Sequence, residues 1–106
     1  MEHVHYSVVA TLPNKDLLCK YLEWLQNGHI HAVLQGGALR AQVVQLEAED
    51  GSLRVRTLYE FATPQSFKNY VRDHAPALRA DGLARFGPHT GTRFEREQGT
   101  IRQELK

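Results

Sequence analysis

Apolar and polar residues alternate with period two over residues 3–12. Val4, Tyr6, Val8, Ala10 and Leu12 share one face, and His3, His5, Ser7, Val9 and Thr11 share the other. This spacing predicts a half-buried strand. Pro13 ends it, and the period then changes: Leu18, Leu22 and Leu25 recur at steps of four and three, predicting a helix capped by Asn14 and running to about Gln26. Asn27-Gly28 leaves two readings open. If the helix continues, His29 returns to the leucine stripe, with Trp24 roughly a third of a turn away. If Gly28 stops it, residues 29–35 form a second short helical segment ending at Gly36-Gly37, and His29 need not share that stripe.

Leu39, Ala41 and Val43 then alternate with Arg40 and Gln42, and Leu53, Val55, Thr57, Tyr59 and Phe61 alternate with Arg54, Arg56, Leu58 and Glu60. The Asp50-Gly51 turn between these runs predicts a hairpin. Thr63-Pro64 opens another helix with Phe67, Tyr70, Val71 and His74 inward. Pro76 halts or bends it, and a further segment from Ala77 to Phe86 turns Leu78, Leu83 and Phe86 inward before Gly87-Pro88. Residues 89–97 predict a last strand containing Arg93 and Phe94, and residues 98–106 carry no pattern, so this tail is expected to fray or to pack on a partner.

The order strand, helix, hairpin, helix, strand is the split βαβ order of an α+β, ferredoxin-like fold: a four-stranded antiparallel sheet with helices on one face. The uncovered face carries Val9 and Leu58 among His3, His5, Ser7, Arg40, Gln42, Arg54 and Arg56. A second copy would cover it, predicting a homodimer through the open sheet face; the alternative is a monomer with a wet sheet.

Composition narrows the function classes. A chain of 106 residues, 42% hydrophobic and 24% charged, fits a single domain over residues 1–106 with one core. Thirteen basic against twelve acidic residues give a formal charge of +1, which argues against nucleic-acid binding. The aromatic residues Tyr59 and Phe61 also lie on the opposite register from Arg54 and Arg56, unlike an RNA-reading sheet. The lone Cys19 forms no internal disulfide and suggests a cytoplasmic setting. No signal sequence and no apolar run of about 20 residues is present, so no membrane association is expected. Phosphate-cradling loops, nucleophile elbows and zinc signatures are missing, and no cofactor is expected.

Several stretches resemble a family of small, mostly bacterial proteins of unknown function in the dimeric α+β barrel group of ferredoxin-like domains. They are Tyr21-Leu22-Glu23-Trp24-Leu25, His29-Ile30-His31-Ala32-Val33-Leu34 running to Gly37, Tyr59, His74-Ala75-Pro76-Ala77-Leu78-Arg79, and Arg85-Phe86. The resemblance spans about residues 4–96 and departs from the family pattern at His31, where a proline is usual. It implies the fold and the dimer, and no reaction. The wider group includes monooxygenases, isomerases, cyclases and haem-degrading proteins, an analogy of fold alone.

Candidate chemistry centres on His29, which could act as acid, base or ligand near neutral pH, or could be a structural histidine bonded to a backbone carbonyl with Trp24 as packing. Tyr59 could offer its hydroxyl to the same cleft, or be core with a wet tip. Arg93, Arg40 and Arg79 could bind a carboxylate or phosphate, or form surface ion pairs. His74 is placed to cap a helix. His3 and His5 point to one face of a strand at a metal-binding spacing but show no third ligand, whereas His29 and His31 on a helix lie about 200° apart; no metal site is expected. Cys19 has no motif that would activate its thiol. The leading expectation is a small organic ligand in a cleft between sheet and helices, lined by His29, Trp24, Tyr59 and Arg93. The alternatives are a cofactor-independent monooxygenase- or isomerase-type enzyme using His29 as acid or base, and a structural interaction module without a ligand.

Overall fold

The alternating runs on either side of Asp50-Gly51 pair as a hairpin, turning through Gly51 at φ 78°. In the computed structural model, which describes residues 2–105, they are β2 (Ala38–Leu46) and β3 (Leu53–Phe61), joined in one antiparallel sheet by β1 (His3–Leu12) and β4 (Arg93–Ile101). The strand order is β2-β3-β1-β4, the ferredoxin-like arrangement expected from the order of elements. Val8 pairs with Thr57 and Arg96, and Val9 pairs with Arg56 and Glu95. Because successive side chains alternate, the first trio faces the helices and the second faces away.

Helix α1 (Lys15–Trp24) starts at Asn14, whose side-chain oxygen accepts from the Leu17 N–H at 2.9 Å. The chain then makes a wide π-type turn over Leu25–His29 before α2 (Ile30–Gln35). Inside that turn Asn27 leaves helical angles and Gly28 has φ 129°. Only glycine takes such an angle at little cost. The second reading of Asn27-Gly28 is therefore the one the structure follows, with His29 re-aimed by the turn. Helix α3 (Pro64–Asp73) begins with a capping box between Thr63 and Ser66. Pro76 belongs to α4 (Ala75–Phe86), and the break falls two residues before the proline, at His74. His74 caps α3 through its backbone N–H, 2.9 Å from the Tyr70 carbonyl, with its ring stacked on Tyr70.

Several expectations need correction. Residues 89–92 are not strand, since Pro88–Thr90 makes a short 3-10 turn and β4 starts at Arg93, and His74 is exposed rather than inward. Gln98–Ile101 is strand, not tail, because β4 continues along β1 to pair Ile101 with His3; only Arg102–Leu105 follow it, and Lys106 lies outside the described residues. The strand was hidden because its helix-side positions after Phe94 are Arg96, Gln98 and Thr100. Leu39 sits at a register shift between Ala38 and Arg40 and is half exposed. Leu83, expected inward, is 49% exposed.

The core falls into two halves on the helical side of the sheet. One gathers Val4, Val33, Phe61 and Phe67 with Tyr6, Tyr59 and Tyr70; the other gathers Ala10, Leu12, Leu18, Leu25, Val55 and Phe86 with Tyr21. Each large side chain buried there contributes about 1.5–3 kcal/mol. On the opposite face Ser7 and Val9 are also buried, because β1 is a central strand flanked by Arg56, Leu58, Glu95 and Glu97. Among the described residues no helix is long and apolar enough to cross a membrane.

Candidate functional site

The two halves of the core do not close on each other. At their seam lies a cavity walled by Tyr6 and Tyr59 from one half, Tyr21 and Trp24 from the other, with Phe94 of β4 beside them. Helix α4 roofs it with Leu78, Arg79 and Gly82, and His29 enters from the turn after α1. The enclosed space is about 40 Å³, enough for a few waters or one compact polar group. The exposed lining residues Leu83 and Arg96 mark where it meets solvent.

Local packing fixes the imidazole. Its ring stacks on Trp24 with centroids 4.0 Å apart and planes 22° apart. The indole N–H of Trp24 donates to Asp81 at 2.9 Å, and Arg85 donates to the other oxygen of that carboxylate at 3.1 Å, so α1 and α4 are tied together over the cavity. A Cβ at Gly82 would stand 3.3 Å from the indole ring, so this position favours glycine for the close approach. Tyr6 and Tyr59 stack below at 5.9 Å, and Arg79 reaches the Tyr6 hydroxyl at a long 3.4 Å.

Three buried polar atoms around this space have no hydrogen-bond partner: His29 Nδ1, the Tyr59 hydroxyl and Arg79 Nε. Each such atom costs about 1–3 kcal/mol if left unsatisfied. Burial holds the His29 pKa down at about 4, with the Asp81 charge pulling weakly the other way. The ring is therefore neutral at pH 7, with one donor and one acceptor nitrogen. Burial also pushes the Tyr59 and Tyr21 hydroxyls well above their usual range and Tyr70 up to about 12, so all three stay protonated.

Of the four residues expected to line the cleft, the structure brings together His29, Trp24 and Tyr59 and leaves out Arg93. Arg93 pairs with Thr11 and lies on the uncovered face of the sheet. Its place is taken by Arg79 and Arg96. Arg96 is three residues further along β4 and so of the opposite parity, the signal that would have selected it. Tyr6 and Tyr21 line the space as well, and spacing alone does not distinguish them from ordinary strand and helix packing.

A second cluster lies at the end of the sheet, where His3, Glu60 and Glu104 bring ligand atoms within 4.8 Å of one another. Folding thus gives His3 two carboxylate neighbours, and His5, expected beside it, does not join. The buried Glu60 is already engaged by His3 and by Arg40 at 3.5 Å, which balances its charge without an ion.

A family described as a domain of unknown function (DUF4286) matches residues 3–96. No curated protein sequence matches the chain. Among solved structures, a dimeric ferredoxin-like protein from an uncultured marine organism is similar with a TM-score of 0.77 and 13% identity, covering 99% of this chain and all of its own. SnoaB, a cofactor-independent oxygenase from Streptomyces nogalater, is similar with a TM-score of 0.68 and 14% identity, covering 99% of this chain and 98% of its own. A protein of unknown function from Nitrosomonas europaea has a TM-score of 0.68 and 8% identity over 99% and 93% of the two chains. Likeness at these identities shows the shared fold.

Proposed function

The chain belongs to the DUF4286 family of domains of unknown function, and on its geometry we propose that it is a homodimer binding a small organic ligand in the seam cavity of each subunit. The observation that carries the ligand reading is the convergence of three unpartnered buried polar atoms, from a turn, a strand and a helix, on one space. A cleft filled by its own side chains, as in a purely structural module, would leave no such set. His29, Trp24, Tyr59 and Arg79 form the proposed binding group, and Arg93 belongs to the dimer face.

The dimer reading rests on the uncovered sheet. That face mixes partly exposed Val44, Leu58 and Ile101 with a basic row on β3, Arg54 and Arg56, and an acidic pair on β4, Glu95 and Glu97. A two-fold axis lets the basic row of one copy meet the acidic pair of the other. A neighbour of the same fold is described as dimeric. We place the protein in a reducing compartment, where an exposed, unpaired Cys19 is stable.

Sedimentation equilibrium tests the assembly: a single subunit at high concentration removes the dimer. A broad thermal-shift screen on wild type, His29→Ala and Tyr59→Phe tests the cavity. Ligands that stabilise wild type and lose their effect in both variants are expected; no stabilising ligand, or hits indifferent to both variants, removes the reading.

A second reading makes His29 the base of a cofactor-independent monooxygenase- or isomerase-type reaction, favoured by its free Nδ1 in a neutral ring. SnoaB, of the same fold, is described as a cofactor-independent oxygenase. A base with a pKa near 4 is weak for proton abstraction at pH 7, which is why binding stands first. Turnover of a quinol or enol substrate that vanishes in His29→Gln with the fold intact would reverse that order.

A further inference from the structure

We infer that the ligand is an organic oxyanion on a flat, conjugated body, bound oxygen end inward against Arg79, Tyr59 and His29. The inference rests on the cavity reading above and adds the chemical class.

Charge comes first. The cavity lining includes two guanidinium groups, Arg79 and Arg96, and no carboxylate. Asp81, the acid whose charge reaches His29, is exposed and engaged by Trp24 and Arg85. Arg79 has no salt-bridge partner among the described residues, and its one side-chain bond is the long contact to Tyr6. A cation entering this space would meet like charge, and a neutral guest would leave a partly buried guanidinium uncompensated.

Donor geometry agrees. Arg79 Nε–H is only a donor, the Tyr59 hydroxyl donates when something accepts, and a neutral His29 offers a donor in one tautomer. None of the three makes a well-formed hydrogen bond within the fold, Tyr59 having only a weak interaction with Thr57. An oxygen carrying negative charge satisfies such a set, whereas an amide presents one acceptor and adds donors of its own.

Shape fixes the rest. About 40 Å³ admits a carboxylate or a phenolate oxygen rather than a whole molecule, so the body must leave past Leu83 and Arg96. The walls along that path are the rings of Tyr21, Trp24 and Phe94, with the Arg96 guanidinium 5.7 Å from the Phe94 centroid. Flat faces and a cation over a ring favour a conjugated body over a puckered one.

The test uses one shape with three charges. Benzoate, benzamide and benzamidine are titrated into the full chain, followed by NMR of the Trp24 indole N–H and the His29 ring. Benzoate is expected to bind at least tenfold tighter than benzamide and several-fold tighter than cyclohexanecarboxylate, with no perturbation by benzamidine. Arg79→Gln should collapse the tenfold preference, and Arg79→Lys, which keeps the charge and tests the fold, should retain part of it. Benzamide binding as tightly as benzoate, or benzamidine binding at all, overturns the class; if benzamide still shifts both reporters, the cavity reading survives it. If no probe moves either reporter, both readings fall.

Discussion

The burial of His29 makes stability depend on pH in a defined window. An unfolded imidazole titrates near 6.5, and the folded ring is held at about 4. Between these values the unfolded chain binds a proton that the folded one refuses, so stability rises with pH across the window. The contribution is fully present above pH 6.5 and is lost as the pH falls towards 4; below that both states are protonated. A shift of this size corresponds to about 3 kcal/mol, and because the ring keeps partial contact with solvent about 2 kcal/mol is the expected measured value. The assay is urea unfolding of wild type and His29→Asn at pH 7, 6, 5 and 4, at one fixed protein concentration so that any self-association enters both proteins alike. Asparagine is neutral throughout, so subtracting the two curves removes every other titrating group to first order. The difference between wild type and variant should change by about 2 kcal/mol in favour of the variant between pH 7 and pH 4. A direct NMR titration of the ring should agree. A ring titrating near 6.5, or a pH-independent difference, would refute the claim that the seam is a desolvated place.

Tyr59→Phe removes a buried hydroxyl that has no well-formed hydrogen bond, only a weak interaction with Thr57, so unlike most buried tyrosine substitutions it is expected to stabilise the unliganded protein, by about 1 kcal/mol, read from the urea midpoint. A loss of stability would mean that the hydroxyl is satisfied in solution. Gly28→Ala forces a side chain into φ 129° and should cost at least 1 kcal/mol, and NMR should show the Trp24 and His29 rings moved apart. Asp81→Asn removes the one charge that raises the His29 pKa, and its expected signature is a further fall of that value. Leu58→Glu, with its charge on the uncovered face, should shift sedimentation towards the single subunit while leaving the unfolding midpoint of that subunit close to wild type.

Most of the architecture was legible because it is written in short-range periodicity. Alternation exposed β1, β2 and β3, Asp50-Gly51 exposed the hairpin, and Asn14 and Thr63 marked the starts of α1 and α3. β4 was legible only to residue 97, since an edge strand beyond the helical layer has no apolar face to announce it. The direction of His29 was not derivable from a helical wheel, because it depends on one positive φ at Gly28. The seam itself belongs to no local pattern: Tyr59 stands out as a candidate by its register, but nothing in the spacing of Tyr6 or Tyr21 marks them as its walls, and only the failure of two clusters to close leaves space between them.

The misplacement of Arg93 shows how little separates the two surfaces of this molecule. Arg93 and Arg96 lie on the same strand, and the odd step between them puts one on each side of a single sheet. On the proposed reading an arginine on the uncovered side serves the contact between subunits and one on the helical side serves the cavity, so strand parity divides the two. The two tasks are then separable by substitution although the residues are neighbours. Arg93→Glu should weaken assembly without altering the indole and imidazole reporters, and Arg96→Gln should do the reverse. A strand that slipped by one residue would exchange both roles at once, and the long pairing of β4 with β1, from Arg93 opposite Thr11 to Ile101 opposite His3, is what prevents it.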